Sequence, residues 1–190
     1  MRRRDALLLA GAPLFAQEKN LRVVVRMEMA AGEILVALSG DRAPKTVANF
    51  LRYLDAGLYD GGVFHRSVKM DNQPQSPVKI EVIQGGPNPE KKTSYEPIEL
   101  ERTTLTGLKH VHGAISMARS GPNTATGDFF LCIGDQPELD FGGKRNPDGQ
   151  GFAAFGMVLK GFDVIKRIQQ APVVSQKLVP PIAILKMVRV

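Results

Sequence analysis

The chain has 190 residues, 43% of them apolar and 23% charged, a globular mix that argues against disorder and suffices for a sustained core. Its single cysteine, Cys132, excludes an intramolecular disulfide and any cysteine-rich metal site; set between Leu131 and Ile133, it reads as a small buried hydrophobe. The formal net charge of +6 is spread without an extended Lys/Arg cluster, so a nucleic-acid partner is not expected.

Residues 1–16 open with Met1-Arg2-Arg3-Arg4-Asp5, continue with the apolar stretch Ala6–Ala16 and end on a small residue. This order matches a secretory signal peptide, with Gln17 first after cleavage, and the arginines also allow twin-arginine export. The apolar stretch is too short to span a bilayer, and no later segment is longer, so stable membrane insertion is not expected. Near residue 16 there is no cysteine for a lipid anchor. The expectation is a periplasmic or secreted protein, with residues 17–190 forming one domain.

Strand signals dominate the rest. Leu21–Met29 and Gly32–Leu38 alternate across Ala30-Ala31 as a hairpin. In Ala43–Asp55 the period changes: Val47, Phe50, Leu51 and Leu54 share one helical face, Pro44 suits the first turn and Gly57 can end it. Further strands are predicted at Val63–Arg66, Ile80–Gln84, Gly113–Ala118, Phe129–Ile133, Phe152–Val158 and Ile182–Val190, with a second helix at Phe162–Gln170. Lys69–Val78, Pro87–Glu96 and Asp135–Gln150 read as surface loops. Eight strands and two helices without βαβ alternation predict a mainly β fold, a closed antiparallel barrel capped by helices.

Four segments, in order, resemble the cyclophilin family of peptidyl-prolyl cis-trans isomerases. They are Phe64-His65-Arg66, Gln84-Gly85-Gly86, Ser116–Thr124 continuing to Phe129-Phe130, and Phe155-Gly156; Ala43–Phe50 and Leu108-Lys109-His110 also fit. The resemblance runs from about Leu21 to the C-terminus. It implies a barrel that accelerates rotation about X-Pro peptide bonds in proline-containing peptides and unfolded clients, acting as a monomer with neither cofactor nor metal.

By the same resemblance, Arg66 is the catalytic arginine and Gln84 positions it or the substrate. Phe130 floors the proline pocket, Val82, Leu139 and Phe152 wall it, and Ala118 and Arg119 form the strand edge that bonds the substrate backbone. An arginine suits this chemistry. When the amide twists, the prolyl nitrogen loses conjugation, and a guanidinium donor binds that state better than the planar one. Some positions depart from the family. Glu81 and Val82 stand where relatives carry Phe and Met, Asp128 replaces a frequent Gln, Glu138 an aromatic, and Phe152 a His. These replacements predict a pocket short of apolar walls and motivate, beside the leading isomerase reading, the alternative of a proline-peptide binding module or chaperone with weak or no turnover.

Other signals weigh less. His65 alternates to the opposite face from Arg66 and reads as a structural histidine. His110 and His112 share a strand face as a potential metal pair but lack a third ligand nearby. Gly85-Gly86-Pro87 leads into no helix, and neither Ser116 nor Ser120 sits in a hydrolase nucleophile turn.

Overall fold

In the computed structural model the described residues are 22–92 and 95–190, so the segment 1–16 read as an export signal lies outside them. β1 (Arg22–Met29) and β2 (Gly32–Ser39) form the expected hairpin, Met29 opposite Gly32. Val25 and Met27 on one strand, and Ile34, Val36 and Leu38 on the other, all point into the core. α1 (Pro44–Asp55) packs Val47, Phe50, Tyr53 and Leu54 beneath the sheet. It has no cap of its own. Glu101, far along the chain, accepts the amides of Thr46 at 2.8 Å and Lys45 at 3.1 Å, placing a carboxylate where the helix leaves unpaired N–H groups and positive potential. Gly57, at φ 64°, returns its amide to the Leu54 carbonyl and ends the helix.

The remaining elements are β3 (Gly62–Val68), β4 (Val82–Gly86), α2 (Thr103–Thr106), β5 (Ala114–Met117), β6 (Phe129–Cys132), β7 (Ala153–Lys160), α3 (Phe162–Gln170), β8 (Val173–Val174), β9 (Lys177–Ile184) and β10 (Lys186–Arg189). They form one antiparallel sheet ordered β10-β1-β2-β7-β5-β6-β4-β3-β9-β8. The expected closed eight-stranded barrel with two helices is corrected. The described residues hold ten strands and three helices, and the ladder ends at β10 and β8 without returning on itself.

The difference arises at the C-terminus, where the predicted strand Ile182–Val190 is two. β9 pairs with β3; then the Leu185 amide donates to the Glu28 carbonyl at 2.8 Å and β10 continues along β1. Pro180-Pro181, ahead of the predicted strand, lies inside β9. There the register with β3 jumps from Phe64↔Ile182 to Arg66↔Lys177, so no paired position falls on either proline.

Three central strands divide their side chains between two apolar clusters. Phe129 and Leu131 of β6, Ile83 of β4, and Ile115 and Met117 of β5 join the main core under α1. Phe130, Cys132, Val82 and Ala114 point the other way, into a smaller cluster with Val68, Ile80 and Leu139. Burial pushes the Cys132 thiol well above its ordinary pKa, which keeps it an unreactive hydrophobe. Beneath the smaller cluster His110, 1% exposed, is held at both nitrogens: Nδ1 meets Asp140 Oδ1 at 2.8 Å and Nε2 meets Ser116 Oγ at 2.9 Å.

Burial pushes the Asp140 carboxyl up, but hydrogen bonds from the His110 ring and amide, and the charges of His110 and Lys109, outweigh it and hold the group below its ordinary value. A carboxylate depressed in the folded state contributes its full stability above the unfolded pKa and loses it as pH falls through the folded one. Asp140→Asn should therefore flatten the acid limb of urea-unfolding stability as pH falls through and below the ordinary carboxylate range. At neutral pH it should cost about 1–3 kcal/mol. An acid limb as steep as that of the unsubstituted protein would refute this role for Asp140.

Candidate active site

β3 carries one residue more than β4 can match. Phe64 pairs with Gly85 and Arg66 with Gln84, leaving His65 as a bulge. Gln84 and Gly85 face opposite sides of the sheet, so the bulge sends Phe64 into the main core and Arg66 outward. His65 is consequently not on the face opposite Arg66, as strict alternation predicted. Its Nε2 meets Asp128 Oδ2 at 3.2 Å, and that oxygen also accepts Gln84 Nε2 at 3.3 Å.

Arg66 is fixed by two glutamines. Gln84 Oε1 accepts Nη1 at 3.1 Å; Gln176 Oε1 accepts Nε at 2.9 Å and Nη2 at 2.5 Å. A guanidinium has five N–H donors, so one hydrogen on each terminal nitrogen stays outside this network. Burial, and then the charge of Arg145, lower the Arg66 pKa, yet an arginine remains protonated after such a shift.

Arg66 stands at the rim of a cavity of about 210 Å³. All eight residues nominated from the sequence line it: Arg66, Gln84, Val82, Ala118, Arg119, Phe130, Leu139 and Phe152. Phe130 is the floor, 4% exposed, with Phe152 edge-on at 5.3 Å between centroids and the His110 ring stacked behind it at 6.0 Å. Val82 and Leu139 close the sides as buried members of the smaller cluster. Ala118 spends its amide on the Asp128 carbonyl at 2.9 Å.

The Arg119 side chain is 1% exposed. It forks onto Asp148 at 2.7 and 2.9 Å, donates from Nε to the Gly151 carbonyl at 2.7 Å and lies over the Phe152 ring. Its guanidinium thus braces the wall.

Sequence reasoning missed four residues here. Ile80 lines the cavity from just outside β4, supplying an apolar wall that the replacements at Glu81 and Val82 seemed to remove. Arg145 and Asn146 enter from the long loop after β6, while Gln176, from the turn between β8 and β9, holds Arg66 without lining the cavity. Arg145 Nη1 donates to Gln73 Oε1, Ser76 Oγ and the Val78 carbonyl at 2.9, 2.7 and 2.6 Å, tying the 69–78 loop to the rim. No local pattern marks these residues, because each arrives from an irregular segment.

The acidic replacements turn away from the cavity. Glu81 accepts from Gln169 of α3 at 3.0 Å, and Glu138 accepts the Lys144 amide at 2.7 Å. Neither carboxylate lines the cavity, whose apolar walls are Ile80, Val82, Phe130, Leu139 and Phe152. The two histidines weighed as a metal pair part company: His112 Nδ1 accepts the Gly134 amide and its ring stacks on Phe162, while His110 faces Asp140 and Ser116. No group of three or more potential metal ligands gathers among the described residues.

Comparison with known proteins bears on this geometry. Residues 24–189 match the family model described as cyclophilin type peptidyl-prolyl cis-trans isomerase/CLD. A peptidyl-prolyl cis-trans isomerase of Streptomyces antibioticus is 36% identical, over 76% of this chain and 82% of that protein. Isomerase B of Escherichia coli is 35% identical, over 73% of this chain and 79% of that one. A crystal structure of a Cryptosporidium parvum cyclophilin superposes with a TM-score of 0.72 at 24% identity, covering 89% of this chain and 98% of that one, a likeness of fold. The same protein crystallised in the presence of the dipeptide Ala-Pro gives a TM-score of 0.70 at 24% identity, covering 88% of this chain and 98% of that one. Matched over nearly all its described length, this chain belongs to the cyclophilin-type peptidyl-prolyl cis-trans isomerases and is an enzyme of rotation about X-Pro bonds.

Proposed function

We propose that the X-Pro bond turns in this cavity, with the proline ring on Phe130 and Arg66 as the catalytic side chain. The observation carrying this reading is the guanidinium held by Gln84 and Gln176 at the rim of an aromatic pocket, with donor hydrogens to spare. A planar amide offers its nitrogen no free lone pair; a twisted one does, so a donor fixed beside it stabilises the transition state selectively. The donor is already oriented, so little reorganisation accompanies the step, and the apolar surroundings strengthen the interaction. The step requires neither proton transfer nor a covalent bond to the enzyme. Gln84 and Gln176 are positioning residues, and Ala118 and Arg119 offer their backbone to an extended proline-containing chain.

The alternative, a binding module with weak turnover, would keep the pocket and dispense with the arginine. Arg66→Ala should lower kcat/KM for X-Pro peptides at least about tenfold, a floor set below the roughly hundred- to thousandfold of one well-aimed donor, with circular dichroism unchanged. Unchanged turnover in a folded variant would falsify the catalytic role and leave the binding module.

Export is part of the proposal, supported by the basic-then-apolar order of residues 1–16. Clients would be unfolded chains outside the cytoplasm, met by a monomer. Mass spectrometry of protein recovered outside the cytoplasm should find residues 1–16 absent; a mature pool that starts at Met1 or Arg2 would overturn it.

A further inference from the structure

Behind Arg66 lies a second and larger depression, about 650 Å³, that the isomerase chemistry does not use. Its far wall is the 69–78 loop, which contains no regular strand or helix and is held by side chains instead. Gln73, 2% exposed, donates from Nε2 to the Lys69 and Ile80 carbonyls at 2.7 Å each, and its Oε1 accepts the Ile80 amide and Arg145 Nη1. Asn72 bridges the Lys69 amide and the Ser67 carbonyl, and its own carbonyl accepts Gln176 Nε2 at 3.1 Å. The wall is preformed, so little ordering is required of it when a chain binds.

Three features of this groove point to one occupant. It meets the aromatic cavity at Arg66, which lines both, so a chain bound in the cavity can run on into the groove. Exposed Pro74 and Pro77 give it apolar surface, and exposed Gln75 gives it a polar side chain suited to an extended backbone. Its charged lining is all cationic or potentially so: His65, Arg66 and Lys177, with no Asp or Glu. Lys177 is exposed and makes no ion pair among the described residues. Asp128, the carboxylate on His65, lines a different depression with Ala118 and Thr124.

We propose that this groove binds the flank of the substrate that leaves the X-Pro bond past Arg66, and that it selects an extended flank carrying carboxylates. The proposal rests on the isomerase reading of the cavity. Lys177 is the ladder partner of Arg66, and an extended chain advances ~3.3–3.6 Å per residue, so a carboxylate within about two residues of the proline would reach it.

The test uses peptides with one central Ala-Pro and either Glu, Lys or neutral residues on each flank in turn. Dissociation constants come from calorimetry and isomerisation rates from NMR exchange, for the unsubstituted protein and Lys177→Glu. On one flank only, Glu should bind about two- to fivefold tighter than Lys, the difference should shrink at ~1 M salt, and Lys177→Glu should reverse the order. Equal affinities for Glu and Lys on both flanks overturn the groove and leave isomerisation of the neutral peptide standing. A preference that is the same on both flanks and survives Lys177→Glu is the general attraction of a basic protein, and overturns it too. Failure to isomerise the neutral peptide strikes the underlying reading instead, and the calorimetric order then decides by itself whether the groove takes acidic chain.

Discussion

Side chains on a strand alternate strictly, so one extra residue moves everything beyond it to the other face. His65 is that residue. Were His65 paired in a regular ladder, Phe64 and Arg66, two apart, would share a face, and either the aromatic would leave the core or the guanidinium would enter it. With His65 bulged, Phe64 packs edge-on against Phe129 at 5.8 Å, while Arg66 stands outside beside Gln84. The register of β9 shifts at the same place, which makes room for Pro180-Pro181 and brings the turn bearing Gln176 onto the arginine. The bulge thus sets the faces and places both glutamines.

The second condition is a sheet dry on both sides. β4, β5 and β6 bury one set of side chains under α1 and the other around Phe130. A solvated outer face would leave Arg66 in high dielectric, where a single donor contributes little. Here Phe130, Phe152, Val82 and Leu139 share the cavity with it, and no carboxylate lines that cavity to spend its charge. The acids that threatened this, Glu81 and Glu138, are absorbed by Gln169 and by the Lys144 amide.

Around this centre the loops are shaped by polar side chains instead of by ladders. Arg119 with Asp148, Arg145 with Gln73 and Ser76, and His110 with Asp140 and Ser116 each tie an irregular segment to the sheet. The His110 and Arg145 anchors are buried or partly buried, and the Arg119 side chain is buried although Asp148 is not; in such places charged or network hydrogen bonds hold one geometry better than exposed pairs do. A rim built this way can present Arg145 and Asn146 to the cavity without any strand carrying them.

Much of this was legible from residue order alone, for a physical reason: periodicity is local. Val47, Phe50 and Leu54 declare a helix and its buried face, Phe162–Gln170 a second, and the alternation in Leu21–Leu38 a hairpin, because each pattern is written within one or two turns or pleats. The motifs around Arg66, Gln84, Ser116 and Phe130 likewise named residues that meet at one cavity. What only tertiary structure decided was whatever depends on pairing between distant segments. The open ten-stranded ladder follows from β9 and β10 choosing different partners, the face of His65 from a register mismatch with β4, and the cap of α1 from a glutamate in another part of the chain. Gln176 and Arg145 acquired their roles in the same way, since a side chain in an irregular loop has no period to reveal where it points. Local chemistry states what a residue can do, and the folded register decides what it meets.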